Sequence, residues 1–166
     1  MKPECRQATT QDAAGVCSIL QEAVSWLDEI GQPLWRLEEV SESAVAQNVA
    51  KGYFYLFEID GEAVGTLKFQ LEDKLFWPDV PDSESAFIHR VAIRRAWSGS
   101  GLSSAMIKWA ISQARHFQRD YLRLDCDASR PKLKAIYEHF GFSHRDDRQV
   151  GPFCVSRYEI STRFEA

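Results

Sequence analysis

A glycine-rich turn is the segment of this sequence whose residue types and spacing most clearly suggest chemistry. The turn Ser98-Gly99-Ser100-Gly101-Leu102-Ser103 follows the apolar stretch Val91-Ala92-Ile93 and precedes a run with helical spacing. Glycines at a helix N-terminus let backbone N–H groups converge on one point, and the helix dipole favours an anion there. The turn therefore predicts a phosphate site, with a plain strand-to-helix connection as the alternative.

The turn departs from other well-known loop patterns. Its first two glycines match the dinucleotide-binding fingerprint GxGxxG, but Ser104 occupies the position of the third glycine. That fingerprint also belongs to a parallel βαβ unit, whereas this turn follows strands that are expected to form an antiparallel hairpin. The sequence has no GxxxxGK[ST] and no GxSxG, which excludes a P-loop and a nucleophile elbow. A dinucleotide-binding domain stays an alternative, and it is distinguished by whether NAD or coenzyme A raises the melting temperature.

Hydrophobic periodicity predicts the elements that position this turn. Strands are expected at residues 4–8, 53–59, 63–71, 85–93, 121–126, 143–150 and 153–160, and helices at about 10–30, 41–50, 102–117 and 133–140. Asp60-Gly61 is expected to form a hairpin turn. The 166 residues are enough for one mixed α/β domain, residues 1–166, with its own core.

Composition and charge narrow the function. Hydrophobic residues make up 45% and charged residues 27%, which is typical of a globular protein. No apolar run approaches the ~20 residues of a membrane span, and no signal peptide opens the chain, so a cytoplasmic location is expected. The net charge of −4 argues against a general nucleic-acid binder.

The charge is unevenly distributed along the chain. Residues 1–90 hold 16 acidic and 7 basic residues, a net charge of −9, and residues 91–166 hold 8 and 13, a net charge of +5. This distribution suits a domain that holds a cation on one side and an anion on the other, although uneven scatter explains it equally simply.

The four cysteines, Cys5, Cys17, Cys126 and Cys154, form neither a CxxC pair nor a spacing suited to zinc. They are expected to be buried, reduced thiols, and no metal site is predicted.

Two motifs together resemble those of the GNAT superfamily of N-acetyltransferases. The first is Val-Ala-Ile followed by the glycine turn, similar to the family loop [Q/R]xxGx[G/A]. The second is a strand at residues 122–126 followed by Tyr137 and the pair Gly141-Phe142. The resemblance covers the whole chain, and residues 26–35 and 87–93 resemble a branch of uncharacterised bacterial members.

The resemblance implies a fold and a cosubstrate. The fold is a mostly antiparallel, twisted sheet of about seven strands with splayed central strands, flanked by about four helices. Acetyl-CoA would bind between the strands at 85–93 and 121–126, with its pantetheine arm along Val91, Ala92 and Ile93 and its pyrophosphate on residues 98–103. Ser98, Ser103 and Arg130 depart from the family pattern, and Arg130 would lie near the cofactor arm, where its guanidinium can contact a phosphate.

The resemblance also implies residue roles. Tyr137 matches the general acid that protonates the leaving thiolate, although Leu133, Ile136 and Phe140 share its helix face and equally suit a core role. Strand alternation places Phe87, His89, Val91 and Ile93 on one face, where His89 can serve as the base or as a hydrogen-bonded structural histidine. Glu84, Asp73 or water are the alternatives, and a strand N–H near Val91 would stabilise the oxyanion.

The expected acceptor is a primary amine of a small molecule or peptide. Trp26, Trp35, Asp73 and Trp77 are predicted to bind it, since aromatic walls and carboxylates suit a cationic amine. A non-catalytic acyl-CoA-binding sensor on the same fold is the alternative function, and the resemblance also allows a homodimer.

Overall fold

A computed structural model describes residues 2–163 of the chain. The strands are β1 (Glu4–Gln7), β2 (Phe54–Ile59), β3 (Glu62–Gln70), β4 (Ser85–Ile93), β5 (Tyr121–Asp127), β6 (Ser143–Val150) and β7 (Phe153–Ser161). The α-helices are α1 (Ala13–Glu29), α2 (Glu42–Ala50), α3 (Leu102–His116) and α4 (Pro131–Phe140). Their order along the chain is the predicted one.

The seven strands form one sheet in the order β1-β2-β3-β4-β5-β7-β6. β1 with β2, β2 with β3, β5 with β7 and β6 with β7 pair antiparallel, whereas β4 and β5 pair parallel. The mostly antiparallel, seven-stranded α/β fold with four flanking helices is therefore confirmed.

The pairing between β4 and β5 is short. It joins only Ser85–Phe87 to Tyr121–Arg123, whereas β5 pairs with β7 along all seven of its residues. Beyond Phe87 and Arg123 the two central strands no longer form a ladder. His89 on β4 and Asp125 on β5 each follow two residues after the last paired position.

The chain divides into two compact units. The first unit contains the residues up to Phe69 and Arg90–Ile107, and the second contains Gln70–His89 and the residues from Lys108 onward. The expectation of one domain over residues 1–166 stays a prediction, and its residues 1 and 164–166 lie outside the described part of the chain.

The core of the first unit rests on α1. Val16, Ile19 and Leu20 follow helical spacing and are fully buried, so this face of the helix packs into a cluster of apolar side chains that includes Leu56 of β2. Asp12 ends the short 3-10 turn before the helix and accepts the backbone N–H of Thr9 at 2.8 Å. The Asp60-Gly61 hairpin turn is confirmed, with φ values of 51° and 79°.

An irregularity in β4 corrects one expectation. Arg90 has a φ of 54°, a left-handed conformation that is rare for a residue with a side chain. Because such a residue interrupts the alternation of side-chain faces, the prediction that Phe87, His89, Val91 and Ile93 share one face is wrong beyond His89.

The cysteines correct another expectation. All four thiols are free, and Cys17 and Cys126 are buried as predicted, but Cys5 is half-buried and Cys154 on β7 is exposed. Within residues 2–163, none of the helices has the length and apolar character that crossing a bilayer requires.

Candidate active site

The glycine turn connects β4 to α3 in the first unit. Gly99 and Gly101 have φ values of 75° and 87°, which favour glycine, and a Cβ at either position would meet no atom within 4 Å. Ser103 already belongs to α3 and so needs no glycine. Residues 98–101 of the turn are exposed, whereas Leu102, the first residue of α3, is fully buried. The buried Leu102 side chain fixes the start of the helix, and the turn before it stays accessible to a ligand.

The two tryptophans predicted in the first unit lie against arginines. The Arg95 guanidinium lies 5.6 Å from the centre of the Trp26 ring, and the Arg90 guanidinium lies 5.2 Å from that of Trp35. Arg95 also reaches Glu29 at 3.4 Å. Trp26 and Trp35 belong to the first unit, and Asp73 and Trp77 belong to the second.

In the second unit, Asp73 and His89 form a pair. Asp73 Oδ2 lies 3.1 Å from His89 Nε2, and the two side chains are only 7% and 19% exposed. Asp73 Oδ1 accepts the backbone N–H groups of Leu75 and Phe76 at 3.2 and 3.0 Å. Burial opposes ionisation of Asp73, but these hydrogen bonds and His89 outweigh it, and the pKa of this carboxyl lies below its usual value. Two residues predicted separately therefore act on each other.

Asp125 on β5 completes the group. One nitrogen of His89 and one oxygen each of Asp73 and Asp125 lie within 4.8 Å of one another. Burial raises the pKa of Asp125 to about 6, with Asp73 adding to the shift and His89 opposing it. Sequence reasoning missed Asp125 because its position depends on the register of β4 against β5. Phe87 lies opposite Arg123 in the parallel pair, so the next residues on those faces are His89 and Asp125.

Trp77 supports this group from the loop between β3 and β4. Its side chain is 1% exposed and packs against arginines, with guanidinium-to-ring distances of 4.4 Å for Arg157, 5.4 Å for Arg123 and 5.8 Å for Arg145. Its indole N–H faces the Asp125 carboxylate and lowers the pKa of that group. Trp77 consequently positions other residues and offers little surface to a ligand.

Glu84, an alternative base, forms an ion pair with Arg123. Its carboxylate accepts from the buried guanidinium of Arg123 at 2.9 Å, and Arg123 also binds Glu159 at 2.8 Å. His89 with Asp73 is therefore the better placed proton acceptor.

Tyr137 lies on α4 of the second unit. Its ring packs edge-on against Phe142, with the ring centres 5.9 Å apart, and against Tyr158 at 6.4 Å. Burial, with smaller contributions from Cys126 and Asp125, raises the pKa of Tyr137 above its usual value. The hydroxyl therefore keeps its proton at neutral pH, as an acid must. Arg130 precedes the helix and lies 3.9 Å from Asp127.

A cavity of about 330 Å³ opens beside Asp73 in the second unit. Leu71, Val80 and Pro81 are among its apolar lining residues, and Arg119, Glu72 and Lys74 provide charge. A small molecule in this cavity would therefore lie next to the carboxylate of Asp73.

Comparisons with known proteins identify the family. The chain is 26% identical over 141 residues to the uncharacterised N-acetyltransferase YesJ of Bacillus subtilis (strain 168), covering 81% of this chain and 78% of that protein. An acetyltransferase of the GNAT family from Listeria monocytogenes 4b F2365 is 23% identical, with a TM-score of 0.81 over 96% of this chain and 94% of its own. The yncA protein of Salmonella typhimurium, solved with its cofactor acetyl-CoA, is 16% identical with a TM-score of 0.70 over 100% and 97%.

The sequence model of the acetyltransferase (GNAT) family matches residues 20–142 of this chain. The matched segment includes the glycine turn, the Asp73–His89 pair, Asp125 and Tyr137. The chain belongs to the GNAT family of acetyltransferases.

Proposed function

We propose that this protein transfers the acetyl group of acetyl-CoA directly to a primary amine of a small molecule or peptide. The observation that carries the proposal is that the second unit contains both a proton acceptor and a proton donor. His89 beside Asp73 can accept a proton, and Tyr137 holds one. The carboxylate of Asp125 lies beside His89, and its negative charge also adds to the raised pKa of Tyr137.

Each group then has a step. His89 takes a proton from the acceptor amine, directly or through water, and the amine nitrogen attacks the thioester carbon. A C–N bond forms, the C–S bond breaks, and the leaving thiolate takes the proton of Tyr137. A backbone N–H of β4 near Val91 stabilises the negative oxygen that develops in between.

The glycine turn binds the pyrophosphate of acetyl-CoA in this proposal. Gly99 and Gly101 hold the backbone open at the N-terminus of α3, where N–H groups and the helix dipole favour phosphate. We also expect Arg130 to contact the cofactor.

The proposed turn can be tested with Gly101→Asp. The carboxylate would repel phosphate, and the side chain would strain a backbone with a φ of 87°. We expect calorimetry to show at least a tenfold loss of acetyl-CoA affinity.

A matched variant separates repulsion of the phosphate from strain in the backbone. Gly61 has a φ of 79° and open space around it, but it lies in the β2–β3 turn. Gly61→Asp carries the same strain and should bind acetyl-CoA like the wild type. Wild-type affinity in Gly101→Asp would contradict the assignment of the loop.

The base can be tested with His89→Gln. Loss of the imidazole should lower kcat/KM for the amine by about 30- to 100-fold, because water is a poorer proton acceptor. His144→Gln is the matched control, since His144 forms a similar pair with Asp147 at 2.8 Å on the surface. Equal rates in the two variants would remove His89 as the base.

The function as a whole is tested by a screen for ligands and turnover. Thermal shift with acetyl-CoA, coenzyme A and NAD identifies the cosubstrate. Thiol release is then followed with amines, amino acids, polyamines, aminoglycosides and peptide N-termini. Acetyl-CoA binding without thiol release across this panel would favour the non-catalytic sensor over an enzyme.

A further inference from the structure

Unpartnered polar atoms concentrate at one place in the part of the chain that the structure describes. Four buried side-chain nitrogens or oxygens there do not form a regular hydrogen bond, and three of them lie together. They are Asp73 Oδ2, whose one neighbour is His89 Nε2 at 3.1 Å, Asp125 Oδ2, and Trp77 Nε1, which faces Asp125. Buried polar atoms are normally paired, because leaving them bare costs stability. Their convergence therefore points to a ligand that completes the group.

The missing ligand is a cation. Two carboxylates lie next to one imidazole, and the negative charge of Asp73 adds to the raised pKa of Asp125. The buried guanidinium groups of this unit offset that repulsion only in part, because each already binds two carboxylates. Arg123 binds Glu84 and Glu159, and Arg157 binds Asp79 and Asp146.

We propose that Asp125 and Asp73 together bind the ammonium group of the acceptor, so that Asp125 is a substrate-binding residue that selects amines carrying a positive charge. An ammonium offers three N–H donors, which suits two carboxylate oxygens and the neighbouring imidazole. The inference rests on the proposed function, since His89 then takes one proton from the same ammonium. The second proton that the nitrogen loses as the amide forms passes to the oxygen of Tyr137, which has given its own proton to the thiolate.

The cavity beside Asp73 suits this assignment. Asp73 belongs both to the group and to the cavity wall, so the substituent of an amine held at the carboxylates can extend into the cavity. The acceptor class is therefore a primary amine that is protonated in solution and carries a small apolar or mixed substituent.

The test compares Asp125→Asn with the wild type, using benzylamine, which is cationic at pH 7, and aniline, which is neutral. In the presence of coenzyme A, benzylamine should raise the melting temperature of the wild type and aniline should not. Asp125→Asn should abolish the benzylamine shift, and where acetyl transfer to a cationic amine is measurable its KM should rise about 10- to 100-fold.

Asp120→Asn is the matched control, because Asp120 directly precedes β5 but forms an ion pair with Arg163 at 2.7 Å. It should keep the benzylamine shift.

Stability without ligand separates a binding role from a structural one. Because Asp125 is a largely buried carboxylate that forms no ion pair with a described Lys or Arg side chain, Asp125→Asn should raise the melting temperature at pH 8 by about 2–6 °C while weakening amine binding. A residue that merely supports the fold would lower it.

Two results would overturn the inference. One is a benzylamine shift that survives in Asp125→Asn. The other is a shift produced by Zn²⁺ but not by benzylamine and lost in Asp125→Asn, which would make the group a metal site. If the wild type transfers acetyl groups and Asp125→Asn does so equally well, this inference is wrong but the proposed function stands. If the wild type transfers acetyl groups to no amine, the proposed function itself is contradicted.

Discussion

Replacing Tyr137 with phenylalanine is expected to lower turnover by about 10²- to 10⁴-fold and to leave acetyl-CoA affinity nearly unchanged. The substitution removes only the hydroxyl group. The ring would keep its packing against Phe142 and Tyr158, so helix α4 should hold its position. The loss would therefore fall on the chemical step.

The expected size of the effect follows from the environment. Burial raises the pKa of the Cys126 thiol, on the strand before α4, to about 12. The same desolvation would make a departing thiolate more basic than it is in water, so a proton donor is needed there. Tyr137 retains its proton at neutral pH for the same physical reason.

Single-turnover kinetics with calorimetry of acetyl-CoA binding check this prediction. Tyr158→Phe is the matched control, because Tyr158 lies against the same ring and its hydroxyl donates to Glu138 at 2.7 Å. That variant should keep turnover within a few fold. Wild-type turnover in Tyr137→Phe would exclude Tyr137 as the general acid and leave it a core residue.

The sequence predicts the elements well because their signals are local. The spacing of Val16, Ile19 and Leu20 defines the buried face of α1, and Gly141, with a φ of 123°, ends α4 where expected. The turn at residues 98–101 likewise follows from two glycines with positive φ.

The group around His89 is only partly predictable for the opposite reason. His89 and Asp73 are recognisable as titratable residues, but their pairing depends on how the loop after β3 folds back. Asp125 joins them because the register of β4 against β5 places it on the same face as His89, which no local pattern reports. The left-handed Arg90 likewise has no signal in the alternation of β4.

Arg157 is a residue whose importance the sequence hides, and Arg157→Leu is expected to be the most destabilising of these changes. The guanidinium is 1% exposed and makes bidentate pairs with Asp79, at 2.7 and 3.0 Å, and with Asp146, at 2.6 and 2.7 Å. It also donates to the carbonyl of Phe76 at 3.1 Å. Removing one partner of buried charge pairs typically costs about 3–5 kcal/mol.

The lower end of that range is expected, at about 3 kcal/mol, because Asp79 and Asp146 are 39% and 42% exposed and can be hydrated once Arg157 is gone. Urea unfolding at pH 7 measures the loss. Arg148→Leu is the control, since Arg148 reaches Asp79 only at 4.0 Å and is 37% exposed. A loss of the same size in both variants would mean that the buried pairs are not what stabilises this region.

The dependence on pH gives a second check. The Arg157 guanidinium holds the pKa of both Asp79 and Asp146 below its usual value. A carboxyl with a depressed pKa stabilises the fold above its unfolded pKa of about 4, and that contribution is lost as the pH falls further. The difference in unfolding free energy between the wild type and Arg157→Leu should therefore be full at pH 7 and shrink below pH ~4.

The same variant links stability to the site. Arg157 fixes Phe76 and Asp79 in the loop that also carries Asp73 and Trp77. Loosening this loop should raise the KM for a cationic amine more than it changes the affinity for acetyl-CoA. Arg157→Lys should recover part of the stability and part of the amine affinity, because one ammonium retains the charge but cannot form both bidentate pairs. Equal weakening of amine and acetyl-CoA binding would show that Arg157 supports the fold without positioning Asp73.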